Sequence, residues 1–288
     1  MEVLLSLSYN TLDIIKETYP LLRKSCNVPI LILDNGSEDG SQEWLIENMH
    51  RPDEDPPTLV YLSNVNTGYT KGCNILIEKS KIFDPDWFIL CNSDIIAPDP
   101  NEYSELRETS LREGLDLSWV GDLVSPFVDN DNAWVVGCRQ KKGDIVVHGG
   151  CVGSPPILPA FDIPYKVGEY EVLSQTLVPL KWRHRVGRGD EWNKIEKIDV
   201  VSFAVCGLRK EAIDTELLDE RFFLYGSDYD YCLKCIRKHG KEVWYNGRVT
   251  LEHLVGESVR RADYTIQKRA FNDLMLLQKE EKYYGSAN

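Results

Sequence analysis

The chain has 288 residues, of which 42% are hydrophobic and 10% aromatic, so it can bury the core of one large domain and is not globally disordered. Its 33 basic and 46 acidic residues give a net charge of −13, which disfavours broad binding to nucleic acid but leaves room for a local basic pocket. No apolar run reaches the ~18 residues that a membrane-spanning helix needs, and the N-terminus lacks the basic start of a secretory signal.

The first hundred residues alternate between strand and helix signals, which predicts a mainly parallel, doubly wound sheet. The strands predicted from short apolar runs are 3–8, 29–33, 59–62 and 87–91. Four polar residues, Asn10, Asp34, Asn66 and Asp94, each follow one of these strands. Ligands of such sheets bind at the carboxyl ends of the strands, so these residues mark the predicted ligand-binding edge.

The second half of the chain is less regular. Strand-like runs occur at 120–127, 133–138, 145–148, 200–208, 222–225, 243–245 and 250–253. Helices are predicted at 210–215 and 229–238, and an amphipathic helix from about 261 to 283. The stretch 149–196 is rich in Pro, Gly and aromatic residues and is too long for a plain connector, so we expect a substrate-facing loop or insertion there.

The chain contains eight cysteines, most of them beside apolar residues in predicted strands or helices. The one close pair, Cys232 and Cys235, lies within a predicted helix, and no second pair follows at the spacing that a zinc site needs. Buried free thiols are therefore the expected state, and they indicate a reducing compartment. Together with the lack of a membrane span, they predict a cytoplasmic protein.

Three places in the sequence carry residues suited to chemistry. Asp94 follows a strand, where an isolated carboxylate is either a turn former or a ligand for a hard divalent cation shared with a diphosphate. Asp228 and Asp230 stand at a predicted helix start. Either both carboxylates complement the helix dipole, or one of them lies in a cleft and serves as a general base. His253 also follows a strand, and its imidazole is either structural or completes a metal shell.

These places belong to an ordered series of segments that resembles the large family-2 group of inverting glycosyltransferases, including its rhamnosyltransferase-like members. Segment 34–41, DNGSEDGS, resembles the family's DNGSxDGS signature, and segments 7–10 and 66–74 resemble its nucleotide loop and its NxGFxxGxN segment. The run 92–94 stands where the family has a DxD-type metal motif, with Asn at the first position. Segment 219–234 resembles DExFFxxGEDxDxCxR, with Ser in place of the Glu before the base.

The resemblance covers about residues 3 to 256 and implies one α/β domain of GT-A fold, a single Rossmann-like mixed sheet flanked by helices. It divides the chain into a nucleotide-sugar-binding half (1–100), an acceptor-binding and catalytic half (101–260) and a C-terminal helix (261–288). The residues that it implies for nucleotide-sugar binding are Ser8, Asn10, Asp34, Asn66, Gly68, Lys71, Asn74, Asn92 and Ser93. Of these, Asp34 would recognise the nucleobase.

The same resemblance implies a chemical role for three further residues. Asp94 and His253 would hold Mn²⁺ or Mg²⁺ against the diphosphate of the donor, and Asp228 would take the proton of the acceptor hydroxyl. Because Ser227 replaces the usual Glu, Asp228 is the clearer base. Attack opposite the leaving group would invert the anomeric carbon without a covalent intermediate.

A dense basic run at 181–188 stands out in this acidic chain. It is either a solvated loop or a binding site for an anionic acceptor, such as a lipid-linked diphosphate, a phosphorylated glycan or a nucleic acid, with tryptophans stacking on a sugar or base. In relatives the region before the base motif lines the acceptor pocket. The acceptor-side candidates are accordingly Trp182, Arg183, Arg185, Ser202 and Phe203.

The leading prediction is therefore a hexosyl- or deoxyhexosyl-transferase that moves a sugar from a nucleotide-diphospho-sugar to a hydroxyl of a glycan, a glycolipid or another molecule. An enzyme that glycosylates a hydroxylated DNA base would use the basic run, but the acidic charge disfavours it. A nucleotidyltransferase would need a Gly-rich basic N-terminal loop, which is missing. A non-catalytic sugar-binding protein would not need Asp94, Asp228 and His253 together.

Overall fold

The structure is a computed structural model of the chain. It describes residues 1–101, 103, 118–148, 164–167, 170–173, 193–254 and, in the C-terminal segment, 265, 266, 268, 269, 272, 273 and 276. The predicted basic run at 181–188 and most of the predicted loop at 149–196 lie outside these residues. Among the residues described, no helix combines the length and the apolar surface needed to cross a membrane.

Strands and helices alternate through the first half, as predicted. The strands are β1 (Glu2–Ser8), β2 (Ile30–Asp34), β3 (Thr58–Leu62), β4 (Trp87–Asn92), β5 (Ile95–Ile96), β6 (Ala133–Lys142), β7 (Ile145–His148), β8 (Pro164–Val167), β9 (Tyr170–Leu173), β10 (Ile195–Ile198), β11 (Val205–Arg209) and β12 (Glu242–His253). The helices are α1 (Leu12–Ser25), α2 (Ser41–Asn48), α3 (Tyr69–Ser80), α4 (Trp119–Asp129), α5 (Lys210–Thr215) and α6 (Ser227–Arg237).

The sheet is mixed, and its parallel part comes from the first half of the chain. Within the described residues it has the order β10-β12-β6-β11-β4-β1-β2-β3, with β5 beside β12 and β7 beside β6. Strands β3, β2, β1 and β4 run parallel, whereas β11 runs antiparallel to both β4 and β6. Strands from both halves thus form one sheet, as expected for a single α/β domain.

Helices cover both faces of the sheet because the strands in its centre are apolar on both sides. In β1, Val3 and Leu5 face a core that includes residues of α3, α5 and α6, while Leu4 faces a core that includes residues of α1, α2 and α4. Each of these three side chains is at most 1% exposed, and full burial of such a side chain contributes about 1.5–3 kcal/mol. Polar groups are therefore presented at the ends of the strands and not on the faces of the sheet.

The cysteines in the described ranges are buried free thiols, which confirms the expectation for these residues. Burial raises the pKa of the Cys73 thiol to about 12, and burial also raises that of Cys235 to about 12. A thiol with so high a pKa stays protonated at neutral pH and is a poor nucleophile or metal ligand. The cysteines therefore pack the core rather than perform chemistry.

Residues 120–127 were predicted as a strand, and this prediction is wrong because they belong to α4. Ser118 caps the helix, and its hydroxyl oxygen accepts a hydrogen bond from the Val120 N–H at 3.1 Å. Trp119, Leu123 and Phe127 recur at a spacing of four and are buried. The helical spacing of these residues therefore outweighs the β propensity of the valines and phenylalanine in this run.

Three other boundaries differ from the prediction. The strand expected at 200–208 begins only at Val205, as β11. Before it the chain turns, and the Ser202 hydroxyl oxygen accepts a hydrogen bond from the Ala204 N–H. Residues 222–225 form a turn rather than a strand, and α6 begins at Ser227 instead of 229. The two strands expected near the end are one strand, β12, with an irregularity between Asn246 and Thr250.

Helix α6 is anchored by an ammonium group among three carboxylates. The Lys234 Nζ lies 2.7 Å from Asp230 Oδ2, 3.2 Å from Asp219 Oδ2 and 3.7 Å from Glu216 Oε1. Burial raises the pKa of Asp219, but hydrogen bonds from Arg221 and the Lys234 charge outweigh it and lower this pKa to about 2. Asp230, only 1% exposed, therefore serves the packing of α6 and does not join Asp228 in chemistry.

Candidate active site

The carboxyl ends of β1, β2 and β4 meet at one edge of the sheet. The parallel register pairs Ser8 with Asp34 and Leu7 with Asn92, so the loops that follow these strands start side by side. The sequence-predicted candidates that follow the strands are thereby brought to a common edge. Ser8 itself is buried and pairs its hydroxyl with Thr11 Oγ1 at 3.3 Å.

Asp34 closes the loop that follows β2. Its Oδ1 accepts from the Ser37 N–H at 2.8 Å and from Gln42 Nε2 at 2.9 Å, and its Oδ2 accepts from the Ser37 hydroxyl at 2.7 Å. The side chain is 0% exposed. The carboxylate therefore holds the loop in shape from within, and the nucleobase recognition that the resemblance implied for it stays a prediction.

Side-chain amides fasten the three nucleotide-side loops to one another. Asn10, at a left-handed φ of 50°, accepts from the Glu38 N–H at 2.9 Å through its Oδ1. The Asn35 Nδ2 donates to Asn66 Oδ1 at 3.1 Å, and the same oxygen accepts from the Gly68 N–H at 2.8 Å. The loops after β1, β2 and β3 are thus held as one preformed surface. Asn35 was not a predicted site residue, although it lies within the DNGSEDGS signal.

Gly68 lies where this surface meets the turn at 222–226. Its φ of 88° and ψ of 169° belong to a region that is essentially restricted to glycine. An added Cβ would come within 2.6 Å of both Cδ2 and the carbonyl oxygen of Phe223. The neighbouring Tyr69 N–H donates to that same oxygen at 2.6 Å. Glycine is therefore required for the close approach of the two segments.

We expect Gly68→Ala to lower the free energy of unfolding by about 2–4 kcal/mol, because backbone strain and overpacking add. Gly143→Ala is the matched control, since Gly143 also has a positive φ of 58° but open space around it. The control should lose only about 1–2 kcal/mol. Urea unfolding monitored by circular dichroism measures both values. Equal losses in the two variants would contradict the proposed contact.

Asp94 and His253 are brought together by a short strand pairing. Strand β5, directly after Asp94, pairs antiparallel with the end of β12, where His253 lies opposite Ile95. The Leu254 N–H also donates to the Asp94 carbonyl oxygen at 3.0 Å. As a result, His253 Nε2 lies 3.3 Å from Asp94 Oδ1. Two residues that are 159 positions apart in sequence therefore share one place, although only the family resemblance related them beforehand.

The surroundings of this pair fix its geometry. Gln140 Oε1 lies 3.0 Å from His253 Nδ1, so a hydrogen bond holds the ring on the side away from Asp94. Before Asp94, the Ser93 carbonyl oxygen accepts from the Thr18 hydroxyl at 2.8 Å, and the Asn92 N–H donates to the Ala204 carbonyl. Asp94 and His253 are each 5% exposed. The pair is thus rigid and largely buried, with an outer partner of the kind that orients metal-bound histidines.

The donor atoms of the pair fit a divalent cation. Imidazole nitrogens and carboxylate oxygens are both common ligands of divalent cations, and here Nε2 and Oδ1 lie 3.3 Å apart. In the described part of the chain, no cluster of three or more His, Cys, Asp and Glu side chains forms a complete metal site. Two protein ligands would leave the remaining coordination positions to oxygens of a substrate, which suits Mn²⁺ or Mg²⁺.

Asp228 lies in the first turn of α6, one residue after its start. Its side chain is partly buried, and its Oδ1 accepts from the Tyr229 N–H at 2.9 Å. Burial raises the pKa of Asp228 to about 6 in spite of the hydrogen bonds from the Tyr229 and Phe203 backbone. A carboxylate with this pKa is still ionised at neutral pH, yet it is a stronger base than an exposed aspartate.

The turn that precedes Asp228 also lies near Asp94. Burial, together with the negative charges of Asp273 and Asp94, raises the pKa of the Tyr225 phenol to about 12. On the other side, burial above all, with the Cys73 and Cys206 thiols and the Asp228 carboxylate nearby, raises the pKa of Tyr69, the residue after Gly68. The nucleotide-side loops, the Asp94 region and the base candidate are therefore within electrostatic reach of one another.

Three further predicted site residues make contacts within the protein. Asn74 is buried, and its Nδ2 and Oδ1 bond to the Leu218 carbonyl and N–H at 2.9 and 3.2 Å, so it holds that loop and does not face a nucleotide. The Lys71 ammonium is half exposed and lies 3.9 Å from Glu220. Phe203 was expected to bind the acceptor, but its ring is 2% exposed and packs edge-on against Tyr231.

Ser202 lies beside the site in the turn that precedes β11, where its hydroxyl accepts from the Ala204 N–H at 3.3 Å. Phe203 contributes to the same region through its backbone, which hydrogen-bonds to Asp228. The remaining acceptor candidates, Trp182, Arg183 and Arg185, lie outside the described residues. The structure thus brings Asp94 and His253 together and places the Phe203 backbone next to Asp228.

Comparisons with known proteins agree with this architecture at the level of the fold. No family model matches the sequence, and no curated protein is significantly similar to it. Among solved structures, it resembles GalNAc-T7 with UDP, GalNAc and Mn²⁺, at 13% identity and a TM-score of 0.62, over 100% of this chain and 50% of that chain. The chain therefore spans about half the length of that protein.

Two further solved structures are similar over the whole of this chain. One is a mannosyltransferase from Pyrobaculum calidifontis in complex with GDP-Man and Mn²⁺, with 10% identity, a TM-score of 0.57 and 65% of that chain covered. The other is S. aureus TarS 1-349 in complex with UDP, with 11% identity, a TM-score of 0.52 and 67% covered. The chain has the GT-A fold, so the fold expected from the family resemblance is confirmed.

Proposed function

We propose that this chain is an inverting glycosyltransferase that moves a sugar from a nucleotide-diphospho-sugar to an acceptor hydroxyl. The observation that carries the proposal is the convergence of Asp94 and His253, 3.3 Å apart, at the carboxyl edge of a GT-A sheet. The three similar structures hold UDP, GDP-Man or Mn²⁺, which supports a nucleotide-sugar donor and a divalent metal for this chain as well.

Asp94 and His253 are the residues that would hold Mn²⁺ or Mg²⁺ in this proposal. When bound, such a cation neutralises the negative charge on the departing nucleoside diphosphate. The loops fastened by Asn10, Asn35 and Asn66 form the wall against which the nucleoside packs. Because these loops are fixed before the donor arrives, less entropy is lost when it binds.

In the transfer step, Asp228 accepts the proton of the acceptor hydroxyl. The acceptor oxygen then bonds to the anomeric carbon, and the bond from that carbon to the diphosphate oxygen breaks, with its electron pair leaving on the diphosphate. Attack from the side opposite the leaving group inverts the configuration. The donor-side loops touch the turn that leads to Asp228 where Gly68 meets Phe223, so donor and base would be held on neighbouring segments.

The pH dependence of activity tests the assignment of Asp228. Because burial raises the pKa of Asp228 to about 6, the base is protonated and inactive below that pH. We expect kcat/KM to fall about tenfold per pH unit below pH 6 and to level off above it. Initial rates at saturating metal between about pH 5 and about pH 8 measure this profile, with stability checked at each pH. A flat profile over that range would exclude Asp228 as the base.

For the acceptor, we propose a hydroxylated glycan or glycolipid, with the basic run at 181–188 recognising any phosphate that it carries. The buried free thiols are typical of proteins kept in a reducing compartment, so we place the enzyme in the cytoplasm. The donor sugar and its base would be identified by a thermal-shift screen with UDP-, GDP-, dTDP- and CDP-sugars in the presence of Mn²⁺. A ligand that binds only the folded state raises the melting temperature.

A further inference from the structure

The turn at 222–226, which leads into α6 and Asp228, is held by a carboxylate from the far end of the chain. Asp273 Oδ1 accepts from the Phe223 N–H at 2.8 Å, and its Oδ2 accepts from the N–H groups of Leu224 at 2.6 Å and Tyr225 at 3.1 Å. These three consecutive N–H groups belong to no helix or strand. A single side chain thus satisfies a whole stretch of irregular backbone.

The same turn is fixed on its other side by the nucleotide-side loops. The Phe223 carbonyl oxygen accepts from the Tyr69 N–H at 2.6 Å, and its ring lies against Gly68. The Arg269 guanidinium, four residues before Asp273, lies 4.7 Å from the centre of the Phe223 ring. The turn is therefore clamped between the donor-side surface and the C-terminal segment.

The burial of Asp273 indicates that its hydrogen bonds to the turn are needed to keep the carboxylate in place. The residue is 3% exposed, and burial raises its pKa even though the three N–H groups favour the charged form. A buried carboxylate is costly unless its hydrogen bonds compensate, so its position here requires the turn in its observed shape. The turn and the buried carboxylate therefore stabilise each other.

We propose that Asp273 is a positioning residue for the transfer reaction, which sets the place of Asp228 by fixing the turn that precedes it. The inference rests on the proposed function, in which Asp228 is the base. Asp273 touches neither donor nor acceptor in this account; it acts through the backbone of 223–225. The C-terminal segment is thereby part of the catalytic apparatus and not an appendage to the fold.

The test compares Asp273→Asn with Asn272→Ala, an adjacent exposed position that serves as the control. The Asn side chain has one acceptor oxygen in place of two, so its NH₂ group faces either the Phe223 N–H or the N–H groups of Leu224 and Tyr225, and the clamp weakens. We expect kcat to fall at least about tenfold with the donor KM nearly unchanged, because binding survives while the base is displaced. The acid limb of the kcat/KM profile should also move to lower pH, because a loosened turn admits water to Asp228. Asp273→Glu, which keeps the charge, should restore part of kcat.

Amide hydrogen exchange tests the clamp independently of any activity. In the wild-type protein, the amides of Phe223, Leu224 and Tyr225 should exchange slowly although they lie outside helices and strands, and in folded Asp273→Asn they should exchange rapidly. Fast exchange of all three in the wild type would overturn the proposal, even if no variant folds. Unchanged kcat and pH profile in Asp273→Asn would overturn it as well. If the wild type is inactive but the amides of residues 223–225 are protected, the proposed function is contradicted, whereas the hydrogen bonds of Asp273 to the turn are supported.

Discussion

Asp228→Asn should lower kcat by about 10²–10⁴-fold while the donor still binds with its normal affinity, since a general base contributes about this much. The asparagine keeps the size of the side chain and can still accept a hydrogen bond from the Tyr229 N–H, but it cannot take a proton. The loss should therefore appear in kcat and not in the donor KM. Single-turnover assays with a saturating nucleotide-sugar measure the effect on the chemical step.

The same variant should be at least as stable as the wild type at neutral pH. The pKa of Asp228 is raised from 3.8 to about 6 in the folded chain, so the folded state binds more protons than the unfolded state between these values. Stability is therefore lost as the pH rises through this window, and the full deficit is present above about pH 6. Asp228→Asn removes the deficit. Urea unfolding at about pH 7.5 would detect the gain.

Asp13→Asn is the matched control, because Asp13 also stands in the first turn of a helix, α1, but is exposed. It should leave kcat unchanged. Turnover near the wild-type rate in Asp228→Asn would remove Asp228 from the mechanism. A similar loss in both variants would point to a general effect of charge rather than to a base.

Asp94→Asn and His253→Gln should each lower kcat/KM by about 10³-fold at an Mn²⁺ concentration that saturates the wild type. A metal ion stabilises the transition state by several kcal/mol, and each ~1.4 kcal/mol corresponds to a tenfold change in rate. In the wild type, EDTA should abolish transfer, and Mn²⁺ or Mg²⁺ should restore it. Higher metal concentrations should recover part of the activity of each variant, since one protein ligand remains. Initial rates measured against metal concentration give both the loss and the shift.

Asp99→Asn provides the control for this pair. Asp99 lies a few residues after Asp94 and forms a surface ion pair with Lys24 at 2.9 Å. An exposed pair of this kind contributes about 0–1 kcal/mol, so its loss should change neither turnover nor metal dependence. Full activity of the wild type in EDTA would show that Asp94 and His253 form a structural ion pair only.

Much of the donor side was predictable because parallel strands obey a simple geometric rule. Apolar runs that alternate with amphipathic helices predict a doubly wound sheet, and the polar residues after its strands must meet at one edge. The positions of Asp34, Asn66 and Asp94 after parallel strands were predicted in this way. The internal role of Asp34 was not predictable, since it depends on which donors the loop directs at the carboxylate.

The second half resisted prediction for two physical reasons. In residues 120–127, the β propensity of valine and phenylalanine favours a strand, whereas the spacing of Val120, Leu123, Val124 and Phe127 is that of a helix. The partners of the site are also remote in sequence. Gln140 supports His253 over 113 positions, and Asp273 holds Phe223 over 50, and neither pairing leaves a local pattern. Asp273 in particular resembles any polar residue on the outer side of an amphipathic helix.

The most direct test of the account is whether nucleotide-sugar binding depends on a metal held by Asp94 and His253. Isothermal titration calorimetry with UDP-, GDP-, dTDP- and CDP-sugars, with and without Mn²⁺, measures this without knowledge of the acceptor. In the presence of Mn²⁺, one donor should bind the wild type and Asp228→Asn with equal affinity. Without Mn²⁺, the same donor should bind both proteins weakly. In Asp94→Asn, the addition of Mn²⁺ should not increase the affinity. Equal affinity in all of these conditions, or no binding of any nucleotide-sugar, would contradict the account.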